Sequence, residues 1–247
     1  MPLVIETPSP NFDARPEGQA GGQAGGQAGG QAIDILLLHY TGMESAAAAL
    51  ARMSDETAKV SAHYCIDEDG TLVRLVPEDK CAWHAGVASW AGAGDINARS
   101  IGIELVNPGH EFGYRGFPDA QMATLIELAG EILARHPIPA RRVLGHADVA
   151  PLRKQDPGEL FDWARLAENG IGLWPGAAPP RDPPEPAETR RQLAAFGYGY
   201  LDHDPAAVVR AFQRHFRPEA VTGTIDAETA GRLEALNGLV DAKPSNP

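Results

Sequence analysis

A chain of 247 residues can hold one large domain or a medium domain with a small companion. With 43% hydrophobic and 22% charged residues, and no apolar run long enough to cross a bilayer, its composition excludes a membrane-embedded protein. The 33 acidic against 21 basic residues give a formal charge of -12, which repels phosphate backbones and anionic lipid and argues against a nucleic-acid partner.

The N-terminal stretch MPLVIETPSPNFDARPEG shows neither a basic start nor a continuous apolar core with a small-residue cleavage site. A cytoplasmic location is the expectation; a chain whose leader had been removed would read the same and would sit in the periplasm. Residues 18–32 follow as GQAGGQAGGQAGGQA, a four-residue repeat with no side chain able to build a core, so a flexible tether is expected here. Folded structure is expected to begin near Ile33, which sets residues 1–32 apart as an N-terminal segment.

The run IDILLLHYT suits a strand buried on both faces. Its alternation places Ile35, Leu37 and His39 on one face, with the histidine where the strand emerges. Glu44 to Met53 is alanine-rich and predicts a helix, and SAHYCID and GTLVRLV predict two strands around Glu68, Asp69 and Gly70. SIGIELVN predicts another strand, interrupted by the carboxylate of Glu104. From Pro118 to Arg135, Met122, Leu125, Ile126, Ala129, Ile132 and Leu133 recur at helical spacing, and His136-Pro137 ends the helix. Val143 and Leu144 then lead into GHADVAPLRKQDPG. Residues 176–188 begin with GAAPPRDPPEP, rich in proline, and predict an extended linker between a larger region over 33–175 and a helical region over 189–240, with a tail over 241–247.

The chemistry-bearing residues concentrate in three of these segments. His39, His146 and Asp156 make two imidazoles and a carboxylate, a catalytic zinc set that leaves a fourth tetrahedral position for water. Such a site also uses a general base and a cation over the developing oxyanion, for which Glu104 and Lys154 are the candidates. Residue types alone leave other readings open. Glu104 suits a buried ion pair, Lys154 a solvated loop, and Asp156 a turn ahead of Pro157. A rival four-ligand zinc site can be drawn from His63, Cys65, Cys81 and His84. The two cysteines are too few to define a disulfide framework.

In this order, LLLHYT, VSAHYCID, AWHAG, SIGIELVN, FPDAQ and GHADVAPLRKQDPG resemble the zinc-dependent N-acetylmuramoyl-L-alanine amidases, in particular those of anhydro-muropeptide recycling. The resemblance runs from Pro8 to Trp174 apart from the tether. It implies an α/β fold with a mixed central β-sheet flanked by helices, shared with the peptidoglycan recognition proteins. It also implies Zn2+ on His39, His146 and Asp156, with Glu104 and Lys154 completing the catalytic centre. Trp83, His84 and Asn97 become candidate substrate contacts, and the four-ligand site is demoted. Asp148 is left over and is expected to orient a neighbour.

LAAFGYGY, AVVRAFQRHFRP and TGTIDAETAGRLEAL resemble a three-helix peptidoglycan-binding domain, with Gly223 making a turn and Asp226 capping the last helix. The expected partners are therefore peptidoglycan or muropeptide fragments. The expected activity is hydrolysis of the amide between N-acetylmuramic acid, intact or 1,6-anhydro, and L-alanine of the stem peptide. The alternatives are a muropeptide-binding module without catalysis and a zinc peptidase cutting within the stem.

Overall fold

The structure, a computed structural model, describes residues 2–16 and 33–241. The glycine-rich tether falls outside the described residues. In chain order the elements are β1 (Val4–Glu6), β2 (Phe12–Ala14), β3 (Ile35–Tyr40), α1 (Ala46–Ser54), β4 (Tyr64–Ile66), β5 (Leu72–Arg74), β6 (Lys80–Ala82), β7 (Ser100–Leu105), α2 (Gly109–Phe112) and α3 (Asp119–Arg135). Then come β8 (Val143–Gly145), α4 (His146–Val149), α5 (Trp163–Glu168), α6 (Pro186–Phe196), α7 (Pro205–Phe216) and α8 (Ala227–Asp241).

Six strands form a mixed sheet in the order β1-β5-β4-β7-β3-β8, and β2 pairs with β6 in a separate ribbon. β4, β7, β3 and β8 run parallel to one another, while β5 is antiparallel to β4 and β1 is parallel to β5. The all-apolar start of β3 follows from its place: Ile35, Leu36, Leu37 and Leu38 are fully buried, covered on both faces. One face packs under α3 and α5, where Leu36, Leu38, Ile101, Ile103 and Leu105 meet Met122, Leu125, Leu128, Ala129 and Leu166. Each such side chain removed from water contributes roughly 1.5–3 kcal/mol. Ile126 and Leu133 flank that contact and are partly buried. On the opposite face Ile35 and Leu37 join a continuous apolar cluster with Trp90, Leu144 and Val149 that extends into Leu193, Phe196, Phe212 and Leu233 of the C-terminal helices and Tyr198 just after α6.

Folded structure does not begin at Ile33. β1 and β2 precede the tether, β1 adding to the outer edge of the sheet and β2 to β6. Both are three residues long and exposed, so they carry no alternation to read; backbone pairing and buried polar contacts hold them instead. Asn11 Nδ2 donates to the carbonyls of Asp55 and Val60, both at 2.9 Å, and Ser9 Oγ donates to Met53 O.

Residues 176–185 form no helix or strand, yet they lie against the last helix: Arg181 N–H donates to Ala227 O at 2.8 Å, and its guanidinium pairs with Glu234. In the helical region Gly223 turns with φ +79°, and Asp226 Oδ1 accepts from Thr229 N–H at 2.9 Å ahead of α8. Among the described residues no helix is long and apolar enough to cross a membrane.

Candidate active site

The carboxyl ends of three adjacent parallel strands converge on one spot, the position where open α/β sheets place their ligands. His39 is in register with Glu104 on β7, so both side chains leave the same face of the sheet on neighbouring strands. On the other side of β3, β8 ends at Gly145, and His146 opens α4 immediately after it. Gly145 is required here, because a Cβ would lie 2.7 Å from the Pro157 ring and 3.3 Å from Trp163. The chain then returns Asp156 to His146, with Ala147 N–H donating to Asp156 O at 2.9 Å.

Three ligand-type atoms meet as a result. His39 Nδ1, His146 Nδ1 and Asp156 Oδ2 are separated by 2.9, 3.0 and 3.0 Å, and all three residues are at least 95% buried. This is the one convergent group of three or more such side chains among the described residues. The rival four-ligand arrangement does not form. Cys65 and Cys81 are free, and His63 Nδ1 accepts from Gly102 N–H at 2.9 Å.

Hydrogen bonds fix which nitrogens carry protons. Ser100 Oγ–H donates to Ile96 O at 2.6 Å, leaving Oγ to accept from His84 Nε2–H at 3.3 Å. His84 Nδ1 is then the acceptor for His39 Nε2–H at 3.0 Å, so His39 Nδ1 faces the site with a bare lone pair. His146 Nε2–H donates to Ala85 O at 3.0 Å, which turns its Nδ1 toward the same spot. Burial, reinforced by His146, pushes the His39 pKa down to about 4, and burial takes His84 well below the usual imidazole value. Burial penalises the charge of Asp156, but His146 and His39 outweigh it and hold the carboxyl below its ordinary range. Two imidazole Nδ1 atoms and a carboxylate oxygen thus face one another. The chemistry of this donor set fits a divalent cation such as Zn2+.

Glu104 borders the group. It is half-buried, its Oε2 is enclosed without a hydrogen-bond partner, and burial followed by the charge of Asp156 raises its pKa well above normal, with Lys154 opposing. A carboxyl so perturbed beside a cluster of ligand-type side chains is a candidate for proton transfer. Lys154 is partly exposed, and its positive charge is felt at both His39 and Glu104.

The three candidate substrate contacts occupy different settings. His84 is 6% exposed and spends both ring nitrogens on His39 and Ser100. A Cβ on Gly102 would fall 2.6 Å from its ring, which explains the glycine inside SIGIE. Asn97 Oδ1 accepts from the backbone N–H groups of His84 and Ala85 at 3.1 and 2.7 Å. Trp83 donates from Nε1 to Asp13 at 2.6 Å, with Lys59 over its ring. Sequence reasoning did not find Ser100, or Arg153, whose guanidinium binds the carbonyls of Ala85 and Val87 beside His146. Neither residue type stands out in a polar loop or at a strand start.

Comparison with known proteins gives concordant matches. Residues 29–159 match the family described as N-acetylmuramoyl-L-alanine amidase, and residues 183–233 match the putative peptidoglycan binding domain. The chain is 39% identical over 258 aligned residues to the N-acetylmuramoyl-L-alanine amidase AmiD of Escherichia coli, covering 94% of this chain and 90% of that protein. It is 44% identical over 108 residues to the 1,6-anhydro-N-acetylmuramyl-L-alanine amidase AmpD of Citrobacter freundii, covering 44% of this chain and 56% of that one. Among solved structures, the complex of E. coli AmiD with the substrate anhydro-N-acetylmuramic acid-L-Ala-D-gamma-Glu-L-Lys superposes with a TM-score of 0.79 at 37% identity, covering 90% of this chain and 95% of that one. AmpDh3 from Pseudomonas aeruginosa gives 0.78 at 33% identity, covering 91% and 98%.

Proposed function

The chain belongs to the N-acetylmuramoyl-L-alanine amidase family, hydrolases of peptidoglycan turnover, and from that premise we propose how its own residues divide the work. His39, His146 and Asp156 would hold Zn2+ through Nδ1, Nδ1 and Oδ2. The observation that carries this reading is their mutual separation of 2.9–3.0 Å, with no hydrogen bond to the three atoms from any other described residue. When bound, zinc supplies a Lewis acid that polarises the scissile carbonyl and lowers the pKa of water.

Glu104 takes the proton of the attacking water on a carboxylate oxygen and passes it to the departing L-alanine nitrogen, a transfer its elevated proton affinity supports. Lys154 offers its ammonium to the oxygen that gains negative charge as water adds to the carbonyl carbon. His84 orients His39 by accepting from Nε2, and Ser100 fixes His84 in turn. Trp83 and Asn97 are read as shaping the cleft wall, Asn97 through the backbone turn of residues 84 and 85.

The substrate class is a muropeptide or peptidoglycan fragment carrying the bond between the lactyl group of N-acetylmuramic acid and L-alanine. This reading is supported by the substrate named in the AmiD complex. Residues 33–175 with the N-terminal strands form the catalytic region in this reading, and residues 189–240 its wall-binding partner, supported by the match over residues 183–233. Mass spectrometry after incubation with anhydro-N-acetylmuramic acid-L-Ala-D-gamma-Glu-L-Lys tests the reaction. Release of intact tripeptide and free anhydro-N-acetylmuramic acid is expected. Cleavage inside the tripeptide would mark a stem peptidase, and unchanged substrate a binding module.

A further inference from the structure

α4 is a single turn, too short to be stable by itself, so His146 is only as well placed as the contacts around that turn make it. Asp148 lies two residues after His146 and is 1% exposed. Its carboxylate takes three donors. Gly145 N–H and His215 Nδ1–H reach Oδ2 at 2.8 and 2.7 Å, and the Tyr198 hydroxyl reaches Oδ1 at 2.6 Å. The first closes the turn locally. The other two arrive from the C-terminal helical region, 67 and 50 residues further along the chain.

The partners are themselves immobilised. The His215 ring stacks on Trp163 of α5 at 3.6 Å between centroids and on Phe216 at 3.8 Å. Tyr198 sits edge-on to Trp90 at 5.0 Å, and Gly197 O accepts from Ala91 N–H at 2.7 Å. The same helical region thus grips the loop carrying His146 and the loop that follows His84. A buried carboxylate is tolerated only while its donors stay in place, so any displacement of the helices is transmitted to the turn that carries His146.

We propose that Asp148, His215 and Tyr198 form a positioning clamp, through which the C-terminal helices set the placement of the ligand His146. The helical region is then an arm of the catalytic centre as well as a wall-binding unit. The inference rests on the metal role assigned to His146 above.

The test compares three variants of the full chain by zinc affinity, measured by chelator competition, and by kcat and KM on the anhydro-muramyl tripeptide. His215→Ala is expected to weaken zinc binding about 10- to 100-fold and to lower kcat while KM changes less than about twofold. Tyr198→Phe keeps the ring in the core and removes one hydroxyl donor; a loss of about three- to tenfold in zinc affinity is expected. Leu233→Ala cuts the same apolar core without removing a hydrogen bond, and should lower the melting temperature with zinc affinity held within about twofold. If His215→Ala does not fold, Tyr198→Phe decides. Parental zinc affinity in Tyr198→Phe overturns the clamp, and so does an equal loss of affinity in Leu233→Ala. A parent that binds no zinc overturns the metal role of His146 together with the clamp, whereas a zinc-bound, active parent matched by its variants overturns the clamp alone.

Discussion

Two buried histidine and aspartate groups lie on either side of α4, built from nearly the same residue types. At His39, His146 and Asp156, three ligand-type atoms face one another within 3.0 Å and receive no donor from any other described residue, while the Nε2 atoms point away, toward His84 and Ala85. At Asp148 the count is reversed: two carboxylate oxygens receive three donors, from Gly145, His215 and Tyr198. The first group has the make-up of a cation site, whereas the second is complete as it stands. Residue composition does not separate a metal site from a structural bracket; the balance of protons and lone pairs does.

That contrast can be broken most severely at the open group. His146→Ala should abolish stoichiometric zinc binding, checked by elemental analysis, and turnover should vanish with it. At the closed group the main effect should appear in stability. Asp148→Ala strands three buried donors and should cost about 3–5 kcal/mol in urea unfolding of the zinc-free protein, with parental stability contradicting the assignment. Zinc sharpens the comparison further. At 100 times its Kd the metal should add about 2.7 kcal/mol to the parent and nothing to Asp156→Ala, read as the shift of the unfolding midpoint.

Acid gives the smallest effect. His39 titrates near pH 4 in the folded chain against 6.5 for an unperturbed imidazole, because burial and then His146 disfavour its charge. Protons therefore bind the unfolded form first: the stability associated with neutral His39 is whole above pH 6.5 and declines as pH falls toward 4. Between pH 7 and 5.5 the zinc-free protein should lose about 1 kcal/mol from this group. His39→Gln should remove that part of the slope, and an unchanged slope in the variant would place the titration elsewhere.

Much of the open group was legible before the structure because strand alternation is a local property. Period-two patterning placed His39 at the mouth of β3, and an acidic residue inside SIGIEL marked Glu104. What local pattern could not supply was the set of donors. Ser100 and His84 meet 16 residues apart through the register of β7, and His215 reaches Asp148 across 67 residues. The short strands β1 and β2 stayed hidden for a related reason: exposed on both sides, they are defined by partners rather than by their own sequence. The interdomain packing was hidden too, since the apolar face formed by Ile35 and Leu37 announces that it is covered without saying by what.

If a zinc-binding group and a separate proton-transfer carboxylate act together, Glu104→Ala separates them when zinc content and turnover are measured on the same protein. One zinc per chain is expected in parent and variant alike, with turnover of the anhydro-muramyl tripeptide lowered by about 10²–10⁴-fold in the variant. A zinc-loaded Glu104→Ala protein that cleaves at the parental rate would contradict it.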